Sequence, residues 1–194
     1  MNISMNKNRI EAFSDGVIAI IITIMVLELK ISDLPEIISE KEVWAALYSL
    51  VPKLLAYLLS FIVVAILWIN HHSLFDKIPH STSSLVWHNA FLLFVMSLIP
   101  LPTAFLAEHF LLKEAVVFYG MTMFLNSLAF FLMRRHIEVK LKMIPYNKMI
   151  QTSNIISVSL YALSIPLAFV SIYISYLIFI GIPIWYFIPD KFHK

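Results

Sequence analysis

The chain has 194 residues, of which 60% are hydrophobic and only 13% are charged, and its formal net charge is +2. Its mean hydropathy is +0.86. Soluble domains contain about 45–50% apolar and about 25% charged residues, so a chain this short could not cover its surface with polar side chains in water. It contains no cysteine, which excludes disulfides and thiolate metal sites. The composition therefore predicts an all-α integral membrane protein.

Apolar segments predict six transmembrane helices in a single domain of residues 1–194. About 20 mostly apolar residues are needed to cross a hydrocarbon core about 30 Å thick. Four candidate helices cover residues 10–29, 43–71, 85–106 and 115–133. Trp44 and Trp68 lie near the two ends of the second segment, about 36 Å apart at helical rise, where aromatic side chains anchor at membrane interfaces.

The last apolar segment, residues 154–188, contains no charged side chain. As one helix it would be about 52 Å long, which is too long for a single crossing. We therefore predict two short helices with a turn near residues 169–173. Pro166 and Pro183 are expected to make both helices irregular.

Charge predicts the orientation, because Lys and Arg favour the cytoplasmic side of short loops. With six helices, four of the 14 Lys and Arg residues (Lys30, Lys41, Lys53 and Lys113) lie opposite the termini. The other ten lie on the side of the termini: Lys7, Arg9, Lys77, Arg134, Arg135, Lys140, Lys142, Lys148, Lys191 and Lys194. We expect a multi-pass plasma-membrane protein with cytoplasmic N- and C-termini. The basic segment 134–151 is expected at the cytoplasmic interface, where it sets the topology or contacts lipid headgroups.

This orientation brings polar side chains of three helices to one depth near the cytoplasmic interface. They are Arg9, Ser14, Asp15, Trp68, Asn70, His71, His72, Trp87, His88 and Asn89. In a low dielectric such groups pair with one another or face water. Three hypotheses follow: a structural network between helices, a proton or ion pathway using the histidines, and a metal site of His71, His72 and His88. Adjacent histidines project about 100° apart on a helix, which disfavours the metal site.

No motif of an enzyme occurs in the sequence. A Ser nucleophile elbow, a Gly-rich phosphate loop, an H-E-x-x-H motif and a T-V-G-Y-G selectivity filter are all missing, and the chain has only three glycines. We therefore expect no catalytic residue, no bound metal, no cofactor and no nucleic-acid partner.

The first segment carries the most specific motif. Arg9, Phe13, Ser14 and Asp15 form R-x-x-x-F-S-D, which is followed by an apolar run. Together with W-I-N-H-H at residues 68–72 and W-H-N at residues 87–89, it resembles the transmembrane-protein-175 family, whose animal members are endolysosomal cation channels. The length is similar to that of prokaryotic members, which carry a single six-helix unit.

The resemblance implies a passive, potassium-preferring cation channel that is a homotetramer with K⁺ as the permeant ion. In the family, the first helix lines a central pore that lacks a re-entrant filter. Counted from the aspartate of F-S-D, the apolar constriction falls on Ile20, and further pore-facing positions fall on Thr23, Ile24 and Leu27. Their spacing of i, i+3, i+4 and i+7 is one face of a helix.

Each of these assignments has an alternative. The apolar positions could equally face lipid or pack inside the protein, and the Thr23 hydroxyl could bond back to the carbonyl of Ala19. Asp15 either attracts cations to the cytoplasmic mouth or pairs with Arg9 or a histidine.

Two other functions stay open from the sequence. One is a proton channel or a proton-coupled carrier, although a carrier would be expected to show inverted repeats or broken helices. The other is a metal-dependent membrane enzyme or scaffold that uses the histidine layer. The expected partners are further copies of the chain, membrane lipids and monovalent cations.

Overall fold

The computed structural model describes residues 6–27, 29 and 39–187, and this part of the chain is helical with no β-strand. Its α-helices are α1 (Lys7–Val26), α2 (Glu40–Asp76), α3 (Ser83–Ser97), α4 (Pro100–Glu108), α5 (Lys113–Arg135), α6 (Lys148–Leu167) and α7 (Ile172–Phe187). Since α3 and α4 follow one another along one apolar segment, the helices form six units. The prediction of an all-α membrane fold with six helices is confirmed.

Four of the described helical units are long and apolar enough to cross a membrane: Glu40–Asp76, Ser83–Glu108, Lys113–Lys140 and Lys148–Leu167. Helix α7 is apolar but shorter. Helix α1 begins with the charged residues of the R-x-x-x-F-S-D motif, so its uncharged part is short. The single domain of residues 1–194 stays a prediction, because part of that range lies outside the described residues.

Several helix ends lie outside the apolar segments that predicted them, although α1 ends at Val26, before the predicted residue 29. The second segment was expected at residues 43–71, but α2 begins at Glu40, where the Ser39 side chain and Glu42 form a capping box. The helix then continues into polar residues as far as Asp76. Helix α5 likewise continues into a π-helical turn, His136–Lys140. Polar residues thus extend a helix beyond its apolar segment.

The third segment differs from the prediction of one continuous helix over residues 85–106. Helix α3 ends at Ser97, and Leu98 and Ile99 form a turn before Pro100 opens α4. The amides of Leu98 and Ile99 bond three residues back, to Val95 and Met96, instead of four. Proline has no amide hydrogen to continue an α-helical ladder, so the change of pattern occurs just before it.

The final segment splits as predicted, although its first helix starts earlier. Helix α6 ends at Leu167 and α7 begins at Ile172, close to the expected turn at residues 169–173. The predicted start at residue 154 is wrong, because the Asn147 side chain caps α6 by accepting from the amide of Ile150 at 3.1 Å. The predicted end at residue 188 lies outside the described residues, as do Lys30, Lys191 and Lys194.

The basic segment 134–151 contains a buried ion pair that charge bias alone did not predict. Arg134 is only 7% exposed, and its Nε donates to Glu138 Oε1 at 2.8 Å. The amide of Gln151 donates to the other Glu138 oxygen at 2.6 Å, which joins α5 to α6. Arg134 is therefore a packing residue, while Arg135, Lys140, Lys142 and Lys148 remain exposed.

The core lies around α5, which packs against α3, α4, α6 and α7. Gly120 lets these helices approach closely, because a Cβ there would lie 2.9 Å from Ser164 Oγ and 3.3 Å from Phe179 Cζ. The buried Tyr119 hydroxyl lies 3.1 Å from Ser60 Oγ, which is 2.7 Å from Thr103 Oγ1. This hydroxyl cluster connects α5 to α2 and α4.

Candidate functional site

Helix α1 has one buried and one exposed face. The buried face contains Ile10, Ser14, Ile18, Ile21 and Met25, which pack toward α2, α3 and α4. These positions recur at intervals of three or four residues, so they lie on one side of the helix. The opposite side has no covering helix in the described part of a single chain.

All four residues predicted to line a pore lie on this exposed face. Ile20 is 57% exposed, Ile24 43% and Leu27 66%, and Thr23 is also exposed. Their apolar side chains therefore do not pack in the core of one chain. A surface of this kind is covered by lipid, by another copy of the chain or by the contents of a pore.

The Thr23 hydroxyl donates a hydrogen bond within its own helix, which is one of the alternatives given for it in the sequence analysis. Its Oγ1 lies 3.0 Å from the carbonyl oxygens of both Ala19 and Ile20. A donated hydroxyl keeps its oxygen lone pairs. Because Thr23 is on the exposed face, its oxygen can still accept a hydrogen bond or contact a cation.

An apolar groove runs between α1 and the junction of α3 with α4. Its volume is about 560 Å³, and it is lined by Val17, Ile20, Ile21, Ile24, Ser97, Pro100, Leu101 and Ala104. Two residues of the predicted pore face, Ile20 and Ile24, thus form one wall of the groove. Ser97 at the end of α3 and Pro100, Leu101 and Ala104 of α4 form the other wall.

A buried hydrogen-bonded chain joins α2, α3 and α1. His71 Nε2 donates to Asn89 Oδ1 at 2.7 Å, and Asn89 Nδ2 donates to Ser14 Oγ at 3.0 Å. The Ser14 hydroxyl in turn donates to the carbonyl of Ile10 at 2.8 Å. His71, Asn89 and Ser14 are each at most 3% exposed. Three members of the predicted polar layer therefore contact one another directly.

Asp15 and Trp68 form a second link between α1 and α2. The indole Nε1 of Trp68 donates to Asp15 Oδ1 at 2.9 Å, and the ring of His72 stacks on Trp68. Asp15 has no ion-pair partner among the described residues, so it pairs with neither Arg9 nor a histidine there. A neutral indole donor satisfies part of the carboxylate instead.

The other predicted residues of the layer lie apart from these links. Arg9 and Phe13 are exposed, and Asn70 is half-buried on a side of α2 that faces α5, α6 and α7. His88 stacks on His136 with ring centroids 4.2 Å apart, and both rings contact Ser84. Trp87 is 67% exposed.

The histidines do not form a metal site in the part of the chain that the structure describes. His71 bonds to Asn89, His72 lies against Trp68, and His88 lies against His136, so the three point to different partners. No group of three or more His, Asp or Glu side chains in the described ranges could hold a metal ion.

Three contacts of this region were not predicted from the sequence. His136 and Ser84 join the end of α5 to α3 through His88, and Lys7 Nζ donates to the carbonyl of Asp76 at 3.2 Å. His136 was placed only in a basic loop, since no local pattern shows which helix a loop histidine will contact. The Lys7 contact uses a backbone carbonyl, which leaves no trace in the sequence.

The fold is that of a helical protein with several membrane-spanning segments. Its first helix, α1, is held to α2 and α3 by hydrogen bonds and leaves one face exposed. The family described as "Endosomal/lysosomal potassium channel TMEM175" matches residues 9–100 of the chain. A potassium channel of Chryseobacterium sp. (strain P1-3) is 37% identical over 193 residues, which are 96% of this chain and 95% of the relative. The chain belongs to the TMEM175 family.

Two further comparisons extend this result. The crystal structure of a lysosomal potassium-selective channel TMEM175 homolog from Chamaesiphon minutus matches with a TM-score of 0.81 and 29% identity, covering 93% of this chain and 95% of that one. The human endosomal/lysosomal proton channel TMEM175 is 40% identical over 86 residues, which are 42% of this chain and 17% of the human protein. The relatives are channels, which confirms that the chain is membrane-embedded and is not an enzyme.

Proposed function

We propose that the chain forms a homotetrameric, potassium-preferring cation channel with α1 at its centre. The observation that carries the proposal is the exposed face of α1, on which Ile20, Thr23, Ile24 and Leu27 lie together while the opposite face is buried. One α1 cannot enclose a pore, and closed rotational symmetry is the usual way to repeat a subunit around an axis. The names of the bacterial relatives support K⁺ as the permeant ion.

The groove beside α1 supports contact between copies of the chain. It is mostly apolar, and its α1 wall includes Ile20 and Ile24 of the face assigned to the pore. In a ring of four subunits, α1 of one subunit packs into this groove of its neighbour. Burial of the groove then provides hydrophobic stabilisation for the tetramer at the same place that positions the pore.

Ile20 forms the hydrophobic gate in this proposal. A ring of four isoleucine side chains excludes ions by dewetting, because a passing cation must lose or compress its hydration shell. Rotation or splaying of α1 that withdraws Ile20 from the axis opens the path. The Thr23 oxygen, which keeps its lone pairs free, then replaces part of the hydration shell of K⁺.

The polar residues hold α1 at the correct depth and rotation. The chain His71–Asn89–Ser14 and the link Trp68–Asp15 fix the cytoplasmic end of α1 to α2 and α3. Arg9 is exposed, and its side chain has no partner in the described part of a single chain. We assign it to a contact with the neighbouring subunit. Asp15 adds negative charge near the cytoplasmic mouth, which attracts cations.

The decisive measurement is ion current from purified protein in liposomes, with the oligomer checked by native mass measurement. We expect tetramers that conduct K⁺ better than Na⁺ in an ion-substitution series, without any added cofactor. Well-assembled protein that carries no cation current would overturn the channel assignment. A dominant monomer or dimer in lipid and in several detergents would overturn the tetramer.

Membrane placement can be tested separately, since the chain has no native cysteine. The domain of residues 1–194 is proposed to sit in the plasma membrane with both termini in the cytoplasm. Cysteines introduced at Lys7, Lys140 and Lys191 should react only from the cytoplasmic face, and one at Glu36 only from outside. Labelling of position 191 from outside would show that the number of crossings is odd.

A proton channel is the second candidate, and the names of the animal relatives favour it. The same liposomes distinguish the two functions when a pH gradient is applied without permeant metal cations. We expect the proton flux to remain smaller than the K⁺ flux under matched driving force. A proton flux larger than the K⁺ flux would make the proton channel the better-supported function.

A further inference from the structure

A second polar region lies away from α1, in a cavity of about 40 Å³ between α2, α5, α6 and α7. Much of its wall is apolar, but polar side chains from all four of these helices line it. The polar lining includes Asn70, Asn126, Ser127, Asn154, Ser157 and Tyr186. None of these residues belongs to the proposed pore face.

Two carboxamides at this cavity each have one unpaired atom. Asn126 is 1% exposed; its Nδ2 donates to the carbonyls of Thr122 and Val95, but its Oδ1 has no partner. Asn154 is 6% exposed; its Oδ1 accepts from the Tyr186 hydroxyl at 3.3 Å, but its Nδ2 has no partner. The cavity therefore contains one unused acceptor and one unused donor.

Buried amide atoms in native proteins are almost always hydrogen-bonded to protein or to ordered water. A water molecule needs about 10–15 Å³ of such cavity volume, so the space suffices for more than one. Water can donate to Asn126 Oδ1 and accept from Asn154 Nδ2, which matches both unused atoms. The hydroxyls of Ser157 and Tyr186, 3.2 Å apart, offer further partners.

We propose that this cavity is an ordered-water site that joins α5, α6 and α7 through Asn126 and Asn154. A metal cation fits less well, because no lining residue is charged and Asn154 presents a donor. A lipid acyl chain fits less well too, since it would leave both amides unpaired. The site is independent of the pore and would exist whatever the channel conducts.

An experimental structure of the full chain in lipid nanodiscs, at a resolution that shows water, tests the site directly. We expect density within about 2.7–3.2 Å of Asn126 Oδ1 and of Asn154 Nδ2. An empty cavity, acyl-chain density or a bound cation would each overturn the proposal. Because this measurement uses the unmodified chain, it does not depend on how any variant folds.

The melting temperature of Ser127→Val gives a second test through its sign. Ser127 lines the cavity, so the added methyl group displaces water and leaves the amides unpaired, and we expect melting to fall by a few degrees. In a dry cavity the same methyl group would fill empty space. An unchanged or raised melting temperature would therefore contradict the proposal. Ser159→Val, at an exposed position of α6, is the matched control and should leave melting unchanged.

Discussion

Helices α1 and α5 are similar in length but differ in their surroundings. Helix α5 is packed by α3, α4, α6 and α7, and it buries a broad face that includes Tyr119, Met123 and Phe130. Helix α1 buries a narrow stripe and leaves the side that carries Ile20 exposed. The fold of one chain is thus built around α5, whereas α1 is attached to it by three polar links and one apolar stripe.

The difference separates stability from function along the chain. Substitutions on the buried face of α5 are expected to act on folding, because the neighbouring helices pack closely against that face. Substitutions on the exposed face of α1 are expected to act on conduction, because no helix covers that face in the described part of its own chain. Most of the following predictions test this separation with a matched pair of changes.

The largest expected effect is on stability, from the same glycine substitution in the two helices. Gly120→Ala places a methyl group 2.9 Å from Ser164 Oγ, so overpacking should reduce the free energy of unfolding by about 1–3 kcal/mol. Gly16→Ala meets nothing within 4 Å and should raise it by about 0.5–1 kcal/mol through helix propensity. Thermal unfolding in detergent measures both. Equal changes of one sign would contradict the difference between the helices.

The next effect is on current, at the proposed gate. Ile20→Asn should wet the constriction and raise the closed-state current at least about tenfold, equivalent to about 1.4 kcal/mol. Single-channel recording in bilayers measures it, after assembly of each variant has been checked.

The matched control for the gate is Ile180→Asn on α7, where the isoleucine is 48% exposed but far along the chain from α1. It should leave the current unchanged. Met25, on the other side of α1, is unsuitable because it is 1% exposed and an amide there would damage packing. An unchanged closed-state current in assembled Ile20→Asn tetramers would show that the gate does not lie at Ile20.

A smaller effect is expected at the hydrogen-bonded chain that fastens α1. Asn89→Ala removes the partner of His71 and of Ser14 and should cost about 1 kcal/mol of stability, together with a lower tetramer yield. A double-mutant cycle with His71→Ala isolates the direct contact. Additive effects of the two substitutions would show that the 2.7 Å contact contributes nothing of its own.

The smallest effect is expected at Thr23. Thr23→Val keeps the shape of the side chain but removes the oxygen, and it should lower the K⁺ to Na⁺ permeability ratio about threefold, or about 0.6 kcal/mol. Reversal potentials under bi-ionic conditions measure this ratio. Thr152→Val, at an exposed position on α6, is the control and should leave it unchanged.

Hydropathy and charge predicted the number of helices and the turn between α6 and α7, because membrane spans follow directly from apolar length. They did not predict the turn at Leu98–Ile99. Pro100 and Pro102 lie just after it, but proline can either interrupt a helix or occupy its first turn, so the two residues alone do not show that one helix ends and another begins there. Helix ends were missed wherever a polar cap such as Asn147 lies outside the apolar segment.

The faces of α1 show the same limit at the level of the site. Nearly every residue of α1 after Asp15 is apolar, so hydropathy does not distinguish Ile20 from Ile21. Ile20 is nevertheless 57% exposed and Ile21 only 3%. The family resemblance separated them where composition could not. Long-range partners such as Trp68 for Asp15 depend on how helices pack, which no local pattern contains.

The direction of the hydrogen bonds in the His71–Asn89–Ser14 chain also determines whether this chain can conduct protons. Every proton in it is donated in one direction, and the last donor, Ser14, ends at the backbone carbonyl of Ile10. The middle member is a carboxamide, which does not exchange its N–H for an O–H as an imidazole or a carboxylic acid would. This row of hydrogen bonds therefore does not relay protons from His71 to the carbonyl of Ile10.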